Sequence, residues 1–188
     1  MDRVSTSGRW TVTGGPPRRT QDPPSTGASR RQRPVLVGQN ARMAATGGEA
    51  GCVFCEIVAG RGPASVVYSD ESVMALLDVR PVTTGHLLVI PRAHAAYLAD
   101  LDPALGGHMF AVAQRMAAAL RRSGLPCDGV NLFLADGEAA FQEVFHVHLH
   151  VVPRTAGDGF RIRAKWRRPS RAELESVAGR VRDGLSRP

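Results

Sequence analysis

Nowhere in this 188-residue chain is there an apolar run of roughly eighteen residues, so nothing in it reads as a membrane-spanning helix. The N-terminus has no short apolar core behind a basic lead, so a secretory signal is not expected. Cysteine is scarce. Three thiols, an odd number, argue against a disulfide framework and favour a reducing compartment, so the cytoplasm is the expected location. Histidine is scarce too, at six residues, and no internal repeat is evident. What the chain does have is a hydrophobic content of 43%, enough for the core of one ordinary domain with some chain to spare.

A net charge of +7 and a pI near 10.5 invite a polyanionic partner, but the charge is unevenly placed. Residues 1–48 carry eight arginines against Asp2 and Asp22, whereas 49–188 carry sixteen basic and fifteen acidic side chains. Specific nucleic-acid binding by the body is therefore not expected. The first 48 residues, with Gly14-Gly15-Pro16-Pro17, Pro23-Pro24 and Arg30-Arg31, read as a disordered basic leader. Its prolines oppose the amphipathic helix of a transit peptide, and Met43 is an alternative start. The folded domain is expected over 49–188.

Within that domain, Cys52–Val58 reads as a helical turn or two. Ser65–Tyr68 and Ser72–Leu77 form a hairpin about Asp70, and His86–Ile90, Val130–Leu134 and Val144–Val152 are further strands. Asp102-Pro103 has the form of a helix start. Leu105, Met109, Val112, Met116 and Leu120 follow at helical spacing up to Gly124. Ser170-Arg171-Ala172-Glu173 is a capping box opening a last helix with Leu174, Val177, Ala178, Val181 and Leu185 along one side. Antiparallel strands with segregated helices give an α+β fold.

One stretch stands apart. His146, His148 and His150 alternate with Val147, Leu149 and Val151, a period-two pattern that puts three imidazoles on one face of a strand, successive rings roughly 7 Å apart. A neutral histidine can attack phosphorus and pass the group on to water, provided its second ring nitrogen is held by an acceptor. Phosphorus also needs donors around its oxygens. Gln142 and the backbone of Gly137–Phe141 are candidates, with Arg154 behind them. Cys52-x-x-Cys55 puts two thiols within reach of one ion but supplies only half of a structural zinc site, and a redox pair or two small buried hydrophobes stay open. Cys127, beside Pro126, has no partner in the pattern.

Taken together, the triad strand with Gln142 upstream, Gly85-His86-Leu87-Leu88-Val89-Ile90-Pro91-Arg92-Ala93-His94, Asp78 after an apolar run, and Cys52-x-x-Cys55 resemble the zinc-carrying bacterial branch of the histidine triad (HIT) family. The resemblance covers about Cys52 to Arg154. It implies an antiparallel sheet of five strands with one long and one C-terminal helix, continued across a homodimer. It implies a nucleotide hydrolase or transferase that cleaves dinucleoside polyphosphates or adenylyl conjugates at the α-phosphate. His148 would be the nucleophile, supported by His150 and Gln142. Asp78 would bind the ribose, with Phe54, Leu77 and Val79 around the base. A structural zinc ion would sit on Cys52, Cys55, His94 and His146. A purine nucleoside phosphoramidase is the alternative within the family, and a non-catalytic zinc-containing nucleotide-binding module is the alternative outside enzymes.

Three positions depart from the family pattern. Ala135 stands where many members have Asn or Gln, and Phe141 and Glu143 stand where many have Gly and Ser or Thr. Phe141 is expected to narrow the pocket. A carboxylate at 143 would repel phosphate when ionised or donate a proton if its pKa were raised.

Overall fold

The computed structural model describes residues 51–162 and 164–187; the leader over 1–48 and the alternative start at Met43 lie outside them. Five strands, β1 (Val66–Ser69), β2 (Val73–Leu77), β3 (Leu87–Pro91), β4 (Gly129–Leu134) and β5 (Leu149–Arg154), form one antiparallel sheet in the order β1-β2-β3-β5-β4. β2 and β3 are apolar at every position because both of their faces are covered. Val73, Ala75, Leu87, Val89 and Val151 meet the long helix α2 (Pro103–Arg122) on one face. Met74, Leu76, Leu88 and Ile90 meet Phe54 of the short helix α1 (Val53–Val58) on the other. The expected α+β architecture is the one observed.

Local chemistry explains where α2 begins and what it buries. The Asp102 carboxylate accepts from the N–H groups of Ala104 and Leu105 at 2.9 and 3.0 Å, and Pro103 fills the first helical position. Met109, Val112, Ala113, Met116 and Leu120 are the buried stripe, the large side chains contributing roughly 1.5–3 kcal/mol each. Asp70 ties the β1–β2 hairpin to this helix. It accepts from the Ser72 and Val73 N–H groups, from the Tyr68 hydroxyl at 2.8 Å, and bonds His108 Nε2 at 2.8 Å. Burial works against its charge, but these bonds outweigh it and hold the carboxyl well below the usual range.

One strand boundary needs correction. The strand expected over Val144–Val152 starts only at Leu149, so His146 and His148 precede it. Continuing the ladder would bring His148 and Val147 opposite Ile90 and Pro91, and proline has no N–H to donate. The Pro91 carbonyl is instead taken by the His146 ring at 2.9 Å, and the Val147 N–H donates to Ala95 at 2.7 Å. The in-out alternation nonetheless persists, with Val147 buried under α2 and His146 on the opposite side. The last helix, α3 (Arg171–Leu185), forms behind its cap, Ser170 Oγ accepting from the Glu173 N–H at 3.2 Å. Among the described residues its apolar side is left exposed at Leu174, Val177, Val181 and Leu185. Among the described residues no helix is long and apolar enough to cross a membrane.

Candidate active site and metal centre

Five of the six histidines gather into two clusters on the α1 side of the sheet. In the first, Cys52 and Cys55 lie one helical turn apart at the start of α1, facing His94 beyond β3 and His146 before β5. Cys52 Sγ is 3.5 Å from His146 Nδ1, and Cys55 Sγ is 3.3 Å from His94 Nδ1 and 3.6 Å from His146 Nδ1. Zinc bonds of about 2.3 Å to sulfur and 2.0–2.1 Å to nitrogen imply a tetrahedral sulfur-to-nitrogen edge of about 3.5 Å. The spacing fits one ion. His146 Nε2–H donates to the Pro91 carbonyl at 2.9 Å, which leaves Nδ1 with its lone pair toward the thiols. Burial holds the His146 ring below its ordinary pKa, in the neutral form a metal requires. Two thiols and two imidazoles within 4.8 Å of one another are thus a donor set consistent with zinc.

The second cluster begins two residues on. His148 Nδ1–H donates to the His146 carbonyl at 2.7 Å, so the Nε2 lone pair is the one available. Phe54 stands against the ring with centroids 5.3 Å apart, and His150 follows at 4.9 Å. His150 Nδ1 is 2.9 Å from Nε2 of His86, a buried residue at the foot of β3. The Val82 N–H approaches His86 Nδ1 at 3.4 Å, and Asp78 Oδ2 lies at the same distance from that nitrogen. With the backbone donor on Nδ1, His86 donates from Nε2 to His150 Nδ1, which places the His150 proton on Nε2. The Asp78 carboxylate stands ready to balance charge once a proton arrives. Burial lowers the pKa of His86 against the pull of Asp78, and it lowers His150 to about 4 with help from His148 and His86.

His86 is the functional candidate that reading the residues passed over as merely the first residue of a strand. Its signal was available in the pairing: Leu88 lies opposite His150, and His86 shares the face of Leu88. Gly85 before it has φ +89, and a Cβ there would come within 3.0 Å of Leu125, so the turn that aims His86 requires glycine.

The remaining sequence candidates divide. Asp78 and Phe54 are at the cluster, whereas Leu77 ends β2 partly exposed and Val79 is 88% exposed. The buried Gln142 amide is spent on backbone. Its oxygen accepts from the Gly137 N–H at 2.7 Å, and its nitrogen donates to the carbonyls of Ala96 and Val144 at 2.8 and 3.2 Å. Arg154 is closed off as well, bidentate to Asp158 at 2.6 and 2.7 Å with its remaining nitrogen on Asn131. Phe141 does not narrow the site. It is 89% exposed and adopts a left-handed conformation at φ 67, which also explains why glycine suits that position. Glu143 is not a lone carboxylate, because Arg80 pairs with it.

Comparison with known proteins agrees with this geometry. The HIT domain family profile matches residues 59–157, more than half of the chain. An uncharacterized HIT-like protein of Mycobacterium tuberculosis is 49% identical over 107 residues, covering 57% of this chain and 74% of that protein. The crystal structure of a Zn-bound histidine triad family protein from Mycobacterium smegmatis superimposes with a TM-score of 0.59 at 48% identity, covering 69% of this chain and 99% of that one. A more distant relative, adenylylsulfatase HINT3 of Arabidopsis thaliana, is 34% identical over 107 residues, 57% of this chain and 54% of its own. The chain belongs to the HIT family, in its bacterial branch, a class of nucleotide-binding hydrolases and transferases.

Proposed function

We propose that this protein cleaves dinucleoside polyphosphates or other adenylyl conjugates at the α-phosphate through a nucleotidyl-His148 intermediate. The observation that carries the reading is the tautomer of His148. A backbone carbonyl holds Nδ1–H at 2.7 Å and leaves Nε2 with its lone pair for attack. Nε2 attacks the α-phosphorus, the phosphorus–nitrogen bond forms, and the bond to the leaving group breaks. Water then displaces the nucleotide and restores neutral His148. His150, through its Nε2–H, donates to a phosphoryl oxygen, and His86 with Asp78 behind it takes up or returns the proton. Asp78 also accepts from the ribose hydroxyls, and Phe54, Leu77 and Val79 border the base. Gln142 serves by bracing the Gly137–Phe141 loop.

Cys52, Cys55, His94 and His146 hold a structural zinc ion, which neutralises two thiolates and pins α1 to the start of the triad. A homodimer is inferred as well. β4 lies at the sheet edge with Val130, Leu132 and Leu134 only partly buried, an edge suited to pairing with a second copy.

Rapid quench of the enzyme with diadenosine tetraphosphate, followed by mass spectrometry, should trap an adenylyl group on His148. Nucleotide binding without any trapped adduct would make the protein a non-catalytic module. Turnover of an adenosine phosphoramidate well above that of the tetraphosphate would favour the phosphoramidase alternative.

A further inference from the structure

We propose that Arg80 forms a subsite for the phosphate chain of the leaving group, and that Glu143 occupies it until substrate arrives. This rests on the active-site reading above and specifies which side of the scissile bond the site discriminates. Arg80 lies two residues past Asp78, and Glu143 lies three residues before His146, so their ion pair joins the two segments that border the histidine cluster. Both anchors are firm. The Arg80 N–H donates to Asp78 Oδ1 at 2.8 Å, and Glu143 follows Gln142, whose amide is locked to three backbone groups.

The pair itself is soft. Its side chains are 78% and 69% exposed, and exposed ion pairs are weak and screened. Only Nη2 of Arg80 is engaged; among the described residues no partner takes Nε or Nη1. That leaves two further donors of a planar fork whose geometry matches phosphate oxygens. The other polar groups of the site cannot fill this role. Gln142 is spent, Arg154 is committed to Asp158 and Asn131, and the histidines are short. An anionic chain beyond the α-phosphorus therefore meets Arg80, and in doing so it must outcompete Glu143. A conjugate whose leaving group carries no phosphate gains nothing from Arg80.

Two readouts test this on full-length protein, comparing wild type with Arg80→Gln, Arg80→Lys and Glu143→Gln, each checked for folding by circular dichroism. In turnover, Arg80→Gln should lower kcat/KM for diadenosine tetraphosphate about tenfold or more while changing an adenosine phosphoramidate less than about twofold. Arg80→Lys should recover part of the loss, and Glu143→Gln should raise tetraphosphate turnover several-fold. In binding, measured by calorimetry in a His148→Ala background, the preference for ATP over AMP should fall with Arg80→Gln and rise with Glu143→Gln. Equal effects on both substrates, or an unchanged ATP-to-AMP ratio, would overturn the proposal. If the wild type turns over neither substrate, the hydrolase reading fails, while the affinity ratio still decides the role of Arg80.

Discussion

His146 and His148 stand two residues apart, both buried, and each commits one ring nitrogen to a backbone carbonyl. They differ in which nitrogen is committed. His146 uses Nε2 on Pro91 and presents Nδ1 to two thiols, whereas His148 uses Nδ1 on the His146 carbonyl and keeps Nε2 for a ligand. The choice of acceptor thus decides the tautomer. The tautomer separates a ring that offers Nδ1 to thiols from one that leaves Nε2 uncommitted, the division on which the proposed roles of metal ligand and nucleophile rest. One cluster is enclosed by cysteines and backbone. The other continues outward through His150 and His86 to Asp78.

The contrast is broken most sharply by alanine at each position. His148→Ala should lower kcat by roughly 10⁴-fold or more while nucleotide affinity and melting temperature stay close to wild type. Undiminished turnover would refute the nucleophile assignment. His146→Ala or Cys55→Ser should act on stability first. Removing one ligand of a buried four-ligand set should cost on the order of 3–5 kcal/mol, a fall in Tm of roughly 10–20 °C, with loss of bound zinc in elemental analysis. A metal-free protein of full stability would rule out the four-ligand site.

Smaller effects sharpen the outward arm. His86→Asn should reduce kcat about tenfold and move the acidic limb of the kcat/KM profile upward in pH. The direction follows because His86 helps to depress His150, so its removal lets that pKa climb back from about 4 toward 6.5. Stability should follow the same group. Its folded pKa lies below its unfolded value, so as pH falls from 6.5 to 4 the unfolded chain takes up the proton first and stability is lost. Tm measured from pH 7.5 to 4.5 should decline across that window, and His150→Gln should flatten part of the slope. The smallest change is expected at Phe141→Gly, which relieves a left-handed residue and should stabilise the fold by about 1 kcal/mol without altering turnover.

Much of this was legible in residue order, because periodicity and capping are local. The α2 stripe, its Asp102-Pro103 start, the Ser170 cap and the alternating histidine face all follow from spacings of two, three and four residues. For the candidate metal set, spacing alone pointed only to Cys52 and Cys55, the family resemblance added His94 and His146, and the pairing of β3 with β5 is what brings the four together. His86 was hidden for a related reason. In residue order it opens an apolar run, and its partner His150 is 64 residues away.

Residues 51–162 and the C-terminal arm show the same division in packing. In the sheet, apolar pattern and burial coincide, whereas α3 carries an equally regular stripe that is left exposed among the described residues. A helical pattern specifies which side is apolar, not what covers it. The amino-acid sequence by itself therefore determined the helices, the strand alternation, the family and the set of chemically capable side chains. The tertiary structure alone decided which carbonyl each imidazole meets, that Pro91 ends the ladder before His148, that Gln142 and Arg154 are already engaged, and that Arg80 answers Glu143. Those outcomes depend on contacts between segments far apart in the chain, and only the folded sheet brings them within hydrogen-bonding distance.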